Sequence, residues 1–277
     1  NNNFYFKKID LIDKKKLEKS FKEFKPKIII NLAAQAGVRF SIKNPEQYSQ
    51  SNLLGFVNII ELAKAYKIKH FVYASTSSVY GETTKFPIKE EQDTNKPLSY
   101  YAATKKCNEI IAYSFSNIYN LPTTGLRFFT VYGPYGRPDM SLFKFCKNIL
   151  EGKKIELYNN GNHYRDFTYI DDLVNTVSTI IFRQPQNKVP HNIYNISSSK
   201  PINLKSFVRQ IEKELGKKAL IKNLPKQLGD VYKTHGSSKK LKQDFKIVNS
   251  TSIKKGVKVF IKWYKDYYNI NHEWVKF

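Results

Sequence analysis

Short apolar runs alternate with longer amphipathic stretches along most of the chain. Phe4-Tyr5-Phe6 reads as a first strand, residues 14–24 as a helix and residues 27–32 as a buried strand. A long amphipathic helix follows, with Asn44 as its N-cap, Pro45 at the first helical position and apolar residues continuing to Ala65. Residues 70–75 form the next strand, Pro97 and Ser99 introduce a helix that runs to about Tyr119, and residues 123–128 make another strand. Strands alternating with helices predict an α/β fold, a doubly wound parallel sheet covered on both faces. Beyond Gly133 the rhythm loosens into turns, shorter strands and a Lys-heavy helix at residues 253–268. A sheet domain over residues 1–140 and a smaller domain over residues 141–277 are expected, with segments around 170–197 returning to the sheet domain.

Composition narrows the possible functions. At 277 residues, 41% hydrophobic and 14% aromatic, the chain buries a substantial core and is not a disordered segment. Its longest apolar stretches, residues 28–34 and 71–74, are far shorter than the roughly 20 residues of a membrane-spanning helix. No charged-then-apolar leader opens the chain, and Cys107 and Cys146 alone make no disulfide framework, so a reducing cytoplasm fits best. A net charge of +24 raises nucleic-acid binding as a candidate. The lysines are spread along the whole chain without a long basic tract, however, so the excess reads as a solvated surface that assists anionic ligands. The five histidines are dispersed and lack the spacing of a metal site.

The sharpest chemical signal is Tyr101-Ala-Ala-Thr-Lys105 near the start of the helix after Ser99. Residues four apart share a helical face, so phenol and ammonium can address one ligand. Among the 19 tyrosines only Tyr101 has Lys at the fourth following position. Alone, the pair is equally an ordinary surface pair. The strand ending Phe71-Val-Tyr-Ala-Ser-Thr-Ser-Ser-Val-Tyr-Gly81 changes its weight, because Ser75, Thr76, Ser77 and Ser78 fall at a C-terminal strand edge. Open α/β sheets bind ligands there. A Ser/Thr turn accounts for those hydroxyls but not for their combination with Tyr101 and Lys105.

Asn31-Leu-Ala-Ala34, Ser75-Thr-Ser-Ser78-Val-Tyr-Gly81, Tyr101-xxx-Lys105 and Leu126-Arg-Phe-Phe together resemble the extended short-chain dehydrogenases/reductases, which have a Rossmann-like fold. More narrowly, Ala34-Gln-Ala-Gly-Val-Arg39, Thr130-Val-Tyr-Gly-Pro-Tyr-Gly-Arg-Pro-Asp-Met140 and Arg165-Asp-Phe-Thr-Tyr-Ile-Asp-Asp172 are similar to the UDP-glucuronate 4-epimerases. The likeness loosens after Asn195; Gly229-Asp-Val-Tyr-Lys-Thr234 keeps the nucleotide-side pattern, while His235-Gly-Ser-Ser departs from its acidic continuation. The resemblance implies a tightly held NAD, a 4-keto intermediate and a UDP-sugar substrate. It implies Tyr101 as acid-base residue, Lys105 as its partner and nicotinamide-ribose ligand, and Thr76, where the family has Ser, as the third catalytic hydroxyl. Free tyrosine, with a pKa of about 10, is a poor base at neutral pH, and nearby positive charge favours the phenolate.

The implied cofactor contacts are Asp10 and Leu11 at the adenine end, Leu32, Ala33 and Ala34 along the pyrophosphate and ribose, Asn52, Ser75, and Phe128 near the nicotinamide. Each has a plainer reading: Leu32, Ala33 and Phe128 would be buried in any such sheet, and Asp10 would cap a turn. Thr130, Arg137, Ser77 and Ser78 match the family's carboxylate-binding positions, and Arg165 its diphosphate position. Here too local alternatives stand, since Arg137 can satisfy itself within Arg-Pro-Asp and Arg165 can pair with Asp166 or Asp172. An epimerase of uncharged UDP-glucose or UDP-N-acetylglucosamine type and a UDP-glucuronate decarboxylase are the competing enzymes.

A reading from another class is a noncatalytic remnant or partner subunit that binds no NAD. The chain starts Asn1-Asn2-Asn3, and no Gly-x-x-Gly-x-x-Gly turn occurs in it. One further β-α-β unit of roughly 30 or more residues is therefore expected ahead of Asn1. This segment by itself is expected to bind NAD poorly and to aggregate through an exposed sheet edge. Helices at residues 44–66 and 99–119 resemble those through which the family forms homodimers.

Overall fold

The computed structural model describes residues 3–227, 229–249 and 251–270. Its first helix, α1 (Lys14–Phe24), opens on Asp13, whose carboxylate accepts from the Lys16 amide and satisfies one of the unpaired donors of the first turn. Strand β1 (Ile28–Asn31) follows. The strand expected at Phe4-Tyr5-Phe6 does not form: all three side chains are exposed. Aromatic residues favour a strand only where a neighbour completes the ladder, and no described strand pairs with this stretch.

The single helix expected from Asn44 to Ala65 is instead a series. A short helix α2 (Val38–Lys43) precedes it, and the expected span itself comprises α3 (Pro45–Tyr48), a π-helical turn over Ser49–Leu54, and α4 (Gly55–Ala65). Asn44 stands at the N-cap of α3 with Pro45 at the first helical position, as predicted, but its side chain makes no capping hydrogen bond there. Its backbone N–H and its side-chain amide both donate to the Phe40 carbonyl, so it also closes α2. Next come β2 (His70–Thr76) and α5 (Tyr100–Tyr119), whose N-cap Ser99 accepts from the Ala102 amide at 3.2 Å. The chain continues through β3 (Thr123–Phe128), β4 (Thr130–Tyr132), α6 (Ser141–Leu150), β5 (Lys154–Tyr158) and β6 (Tyr164–Tyr169). It then forms α7 (Ile170–Ile180), β7 (His191–Ile196), β8 (Pro201–Asn203), α8 (Leu204–Leu215), β9 (Leu220–Leu224), α9 (Lys239–Phe245) and α10 (Ile253–Tyr267).

The principal sheet has the order β1-β2-β3-β7, with β1 parallel to β2 and Ile28 opposite His70. Smaller sheets have the order β4-β6-β8 and the parallel pair β5-β9. The chain divides into two compact units. The first contains residues up to Glu82 together with Gln92–Arg127 and Thr179–Tyr194; the second contains Thr83–Glu91, Phe128–Ser178 and the residues from Asn195 onward. Phe56 of α4 centres the first core, meeting the rings of Phe71 and Tyr73 edge-on at 5.7 and 5.4 Å, with Leu17 and Phe21 of α1 in the same cluster. In the second unit Phe167 of β6 stacks on Phe207 of α8 at 4.3 Å, and Tyr132, Phe143 and Phe260 complete the cluster. Gly256 of α10 is fixed by packing there, because a Cβ at that position would lie 2.2 Å from the Tyr132 hydroxyl oxygen. Among the described residues no helix is long and apolar enough to cross a membrane.

Candidate active site

The carboxyl end of β2 and the first turns of α5 carry the predicted catalytic groups, all within the first unit. Lys105 is only 4% exposed, and its ammonium donates to the Ala74 carbonyl at 2.8 Å. Burial, which disfavours the charged form, pushes the Lys105 ammonium down to about 8. Tyr101 lies one turn earlier on α5. Its ring meets the fully buried Tyr48 ring edge-on at 6.2 Å, and its carbonyl accepts from the Thr104 hydroxyl at 2.8 Å. The Tyr48 hydroxyl in turn donates to the Gly37 carbonyl, tying the loop after β1 to the same cluster. Thr76, extended at the end of β2, accepts from the Ser78 amide at 3.2 Å and so turns the chain into the helical turn Ser77–Tyr80.

Two predicted cofactor residues are already engaged within the protein. Asn52, on the π-helical turn, exchanges hydrogen bonds with both backbone groups of Gln35 at 2.8 and 3.0 Å and donates to the Thr104 hydroxyl at 3.1 Å. It therefore fastens the loop after β1 to the helix of Tyr101. The Ser75 hydroxyl donates to Glu109 at 2.6 Å. Glu109, one turn beyond Lys105, is gripped by Arg127 of β3 through Nε and Nη2 at 2.8 and 2.9 Å, and Arg127 also donates to the Tyr80 hydroxyl at 2.8 Å. Burial by itself would raise the Glu109 carboxyl. The hydrogen bonds and charge of Arg127, then the Ser75 hydroxyl, outweigh it and hold the group below its ordinary range.

At the end of β1 the burial expected of Leu32 and Ala33 is not found. Both are exposed and Ala34 is half-buried, because the chain leaves the sheet after Asn31. Asn31 Oδ1 is buried without a hydrogen-bond partner. An exposed loop past a strand terminus, an orphaned buried acceptor and a buried ammonium fit the ribose and nicotinamide end of a dinucleotide. Asp10 makes the turn anticipated for it, its carboxylate accepting from the Ile12 amide at 3.1 Å, and the Leu11 carbonyl accepts from Asn58 at 2.9 Å. Phe128, in the second unit, is half-buried.

Within the second unit Thr130 and Arg137 come together, lining one pocket with Gly133, Gly136 and Met140. Arg137 clasps Asp139 through Nε at 2.9 Å and Nη2 at 2.5 Å, the local Arg-Pro-Asp pairing foreseen as its alternative. The pairing foreseen for Arg165 is not formed. Its Nη1 donates to the carbonyls of Tyr164 and Tyr232 at 2.9 and 3.2 Å, while Asp166 and Asp172 are taken by other groups. Asp172 holds Thr251 through amide and hydroxyl. Asp166, fully buried, accepts from the Ser198 amide and hydroxyl and from the Gly236 amide at 2.9, 2.8 and 3.0 Å. Burial nevertheless keeps its carboxyl above the ordinary value. Arg165 is thus turned toward the Tyr232 segment, where the charge of Asp230 also acts on it.

Glu109, Arg127 and Tyr48 escaped the sequence reading, and Asp166 was expected only as a partner of Arg165. A signal existed for Glu109, which follows Lys105 by four positions and so shares its helical face. Arg127 stood inside the Leu126-Arg-Phe-Phe motif without an assigned role.

Comparison with known proteins gives this arrangement its place. CapI of Staphylococcus aureus is 45% identical over 280 residues, covering 96% of this chain and 84% of that protein. A probable UDP-glucuronate 4-epimerase of Rhizobium meliloti is 42% identical, covering 95% of this chain and 81% of its own length. The crystal structure of UDP-glucuronic acid 4-epimerase from Bacillus cereus, in complex with UDP-glucuronic acid and NAD, superposes with a TM-score of 0.90 at 29% identity. It covers 97% of this chain and 83% of that one. A profile of the NAD dependent epimerase/dehydratase family matches residues 1–197, which include β1 to β3 and every candidate catalytic group. With a buried lysine and its tyrosine at the edge of a parallel sheet, and relatives alike over nearly its whole length, the chain belongs to the NAD dependent epimerase/dehydratase family.

Proposed function

We propose that this chain is an NAD-dependent 4-epimerase that interconverts UDP-glucuronate and UDP-galacturonate. The observation that carries the reading is the Lys105 ammonium, buried against the Ala74 carbonyl one turn from Tyr101 and beside the strand end that bears Thr76. Tyr101 takes the proton of the sugar 4-hydroxyl and later returns one to the 4-oxygen, while the Thr76 hydroxyl holds that oxygen as donor or acceptor. With its ammonium near 8, Lys105 keeps its positive charge at neutral pH and favours the phenolate of Tyr101. NAD, when bound, supplies the hydride acceptor for C4 and the donor that returns hydride to the opposite face of the 4-keto sugar. Tyr101 and Lys105 would hold its nicotinamide end, Leu32 to Ala34, in the loop that Asn52 fastens, its middle, and Asp10 and Leu11 its adenine.

The choice of an acidic sugar rests on Arg137. Its planar fork already grips a carboxylate, that of Asp139, and Thr130, which lines the same pocket, supplies a hydroxyl for such a group. Arg165 is assigned to the diphosphate. The protein is read as a cytoplasmic homodimer serving polysaccharide biosynthesis. Exposed Ile110, Tyr113 and Ile118 on α5 and Leu54 beside α4 supply apolar surface for the dimer. The test is incubation of the purified protein with NAD and UDP-glucuronate, with the products resolved by NMR. UDP-galacturonate is expected, and Tyr101→Phe should lower kcat by ~10³. UDP-xylose with carbon dioxide would make it a decarboxylase, and turnover of UDP-glucose alone an epimerase of neutral sugars; either result overturns the assignment.

A further inference from the structure

Three consecutive residues at the end of β2 are each tied down differently. The Ala74 carbonyl accepts from Lys105, the Ser75 hydroxyl donates to Glu109, and Thr76 caps the following turn. Lys105 and Glu109 lie one turn apart on α5, so that helix grips β2 at two adjacent points. Glu109 is held from a third element, β3, by the paired donors of Arg127, which also reaches Tyr80 both through the hydroxyl and over the ring face at 4.7 Å. Ser75, Glu109 and Arg127 are 2, 3 and 3% exposed, so the bonds among these three are shielded from water, while the partly exposed Lys106 reaches Glu109 at 3.5 Å.

A buried ion pair of this kind is weak evidence for stability, because apolar side chains of similar volume often replace one without loss. Its directional bonds do what apolar packing cannot. We infer that Glu109 and Arg127 form a positioning pair, which holds the Thr76 hydroxyl in register with Tyr101 and Lys105 by locking α5 to the ends of β2 and β3. Neither residue touches substrate. The inference rests on the acid-base roles proposed above for Thr76, Tyr101 and Lys105. Misplacement of such groups by about 1 Å reduces turnover by ~10²-fold.

The experiment compares the NAD-loaded wild type with Arg127→Lys and with the double variant Glu109→Leu/Arg127→Met. Each is assayed by thermal melting, NAD content, kcat and KM. The double variant removes both charges together and is expected to melt cooperatively near the wild-type temperature. It should hold NAD and keep KM within about threefold, yet lose ~10²-fold in kcat. Arg127→Lys keeps the buried charge but lacks the fork, and should likewise fold and lose at least ~10-fold in kcat with KM little changed. A merely structural pair would show kcat recovering with the melting temperature. A double variant, or Arg127→Lys should the double not fold, with kcat within threefold of the wild type overturns the inference. If the wild type turns over another nucleotide sugar, the same comparison is run on that sugar, so a wrong substrate assignment leaves this test intact.

Discussion

Replacing Lys105 with Met should stabilise the free protein near neutral pH while removing its activity. The ammonium of Lys105 falls from the ordinary 10.5 to about 8 on folding because burial strips its water and only the Ala74 carbonyl replaces it. At about 1.36 kcal/mol per unit, that difference means the folded state carries a penalty of about 3 kcal/mol wherever the lysine is protonated in both states. The penalty is fully present below pH 8. Between pH 8 and 10.5 the unfolded chain still binds the proton that the folded chain has released, so wild-type stability rises with pH across that window. Lys105→Met removes the penalty and also leaves the Ala74 carbonyl without its donor, a loss of about 1–2 kcal/mol. The variant should therefore be more stable than the wild type by about 1–2 kcal/mol at pH 7 and less stable at pH 10.5. Urea unfolding of both proteins at several values between pH 7 and 10.5 gives the difference directly, with the titration of other groups cancelling. A variant less stable at pH 7, or a difference that does not change with pH, would refute the reasoning.

Asp139→Asn removes the carboxylate that occupies Arg137. Both side chains are largely solvent-exposed, so the pair contributes only about 0.2–1 kcal/mol. KM for UDP-glucuronate should fall by up to about fivefold while that for UDP-glucose stays unchanged; equal shifts for the two sugars would sever Arg137 from carboxylate reading. Gly256→Ala drives a methyl group into the Tyr132 hydroxyl and should lower unfolding free energy by about 1–3 kcal/mol in urea. Adding Tyr132→Phe should recover part of that loss, and an unchanged melt of the single variant would contradict the packing account.

Elements whose apolar pattern is continuous were legible in the sequence: α1 and β3 have the bounds that their patterns predict. Around Asn44 the N-cap and Pro45 were legible, whereas the short helix α2 directly before them was not, because Asn44 also ends that helix. The π-helical turn over Ser49–Leu54 was invisible because it differs from an α-helix only in which carbonyl each amide finds. For the site, spacing and motif singled out Tyr101 and Lys105, which the structure sets one turn apart on α5, with Lys105 against the end of β2. The Glu109–Arg127 pair could not be read the same way. In a lysine-rich chain a charged residue reads as solvated surface, and only the sheet brings a residue of β3 beneath a residue of α5.

Asp166 has a consequence for how the second unit opens. One carboxylate accepts from Ser198 and from Gly236, residues far from it and from each other in sequence. Because burial makes a bare carboxylate there expensive, releasing either segment exposes the same charge to loss of its remaining donors. The segments at residues 166, 198 and 236 are thereby coupled into one cooperative unit, and their backbone amides share a single opening free energy instead of fraying separately.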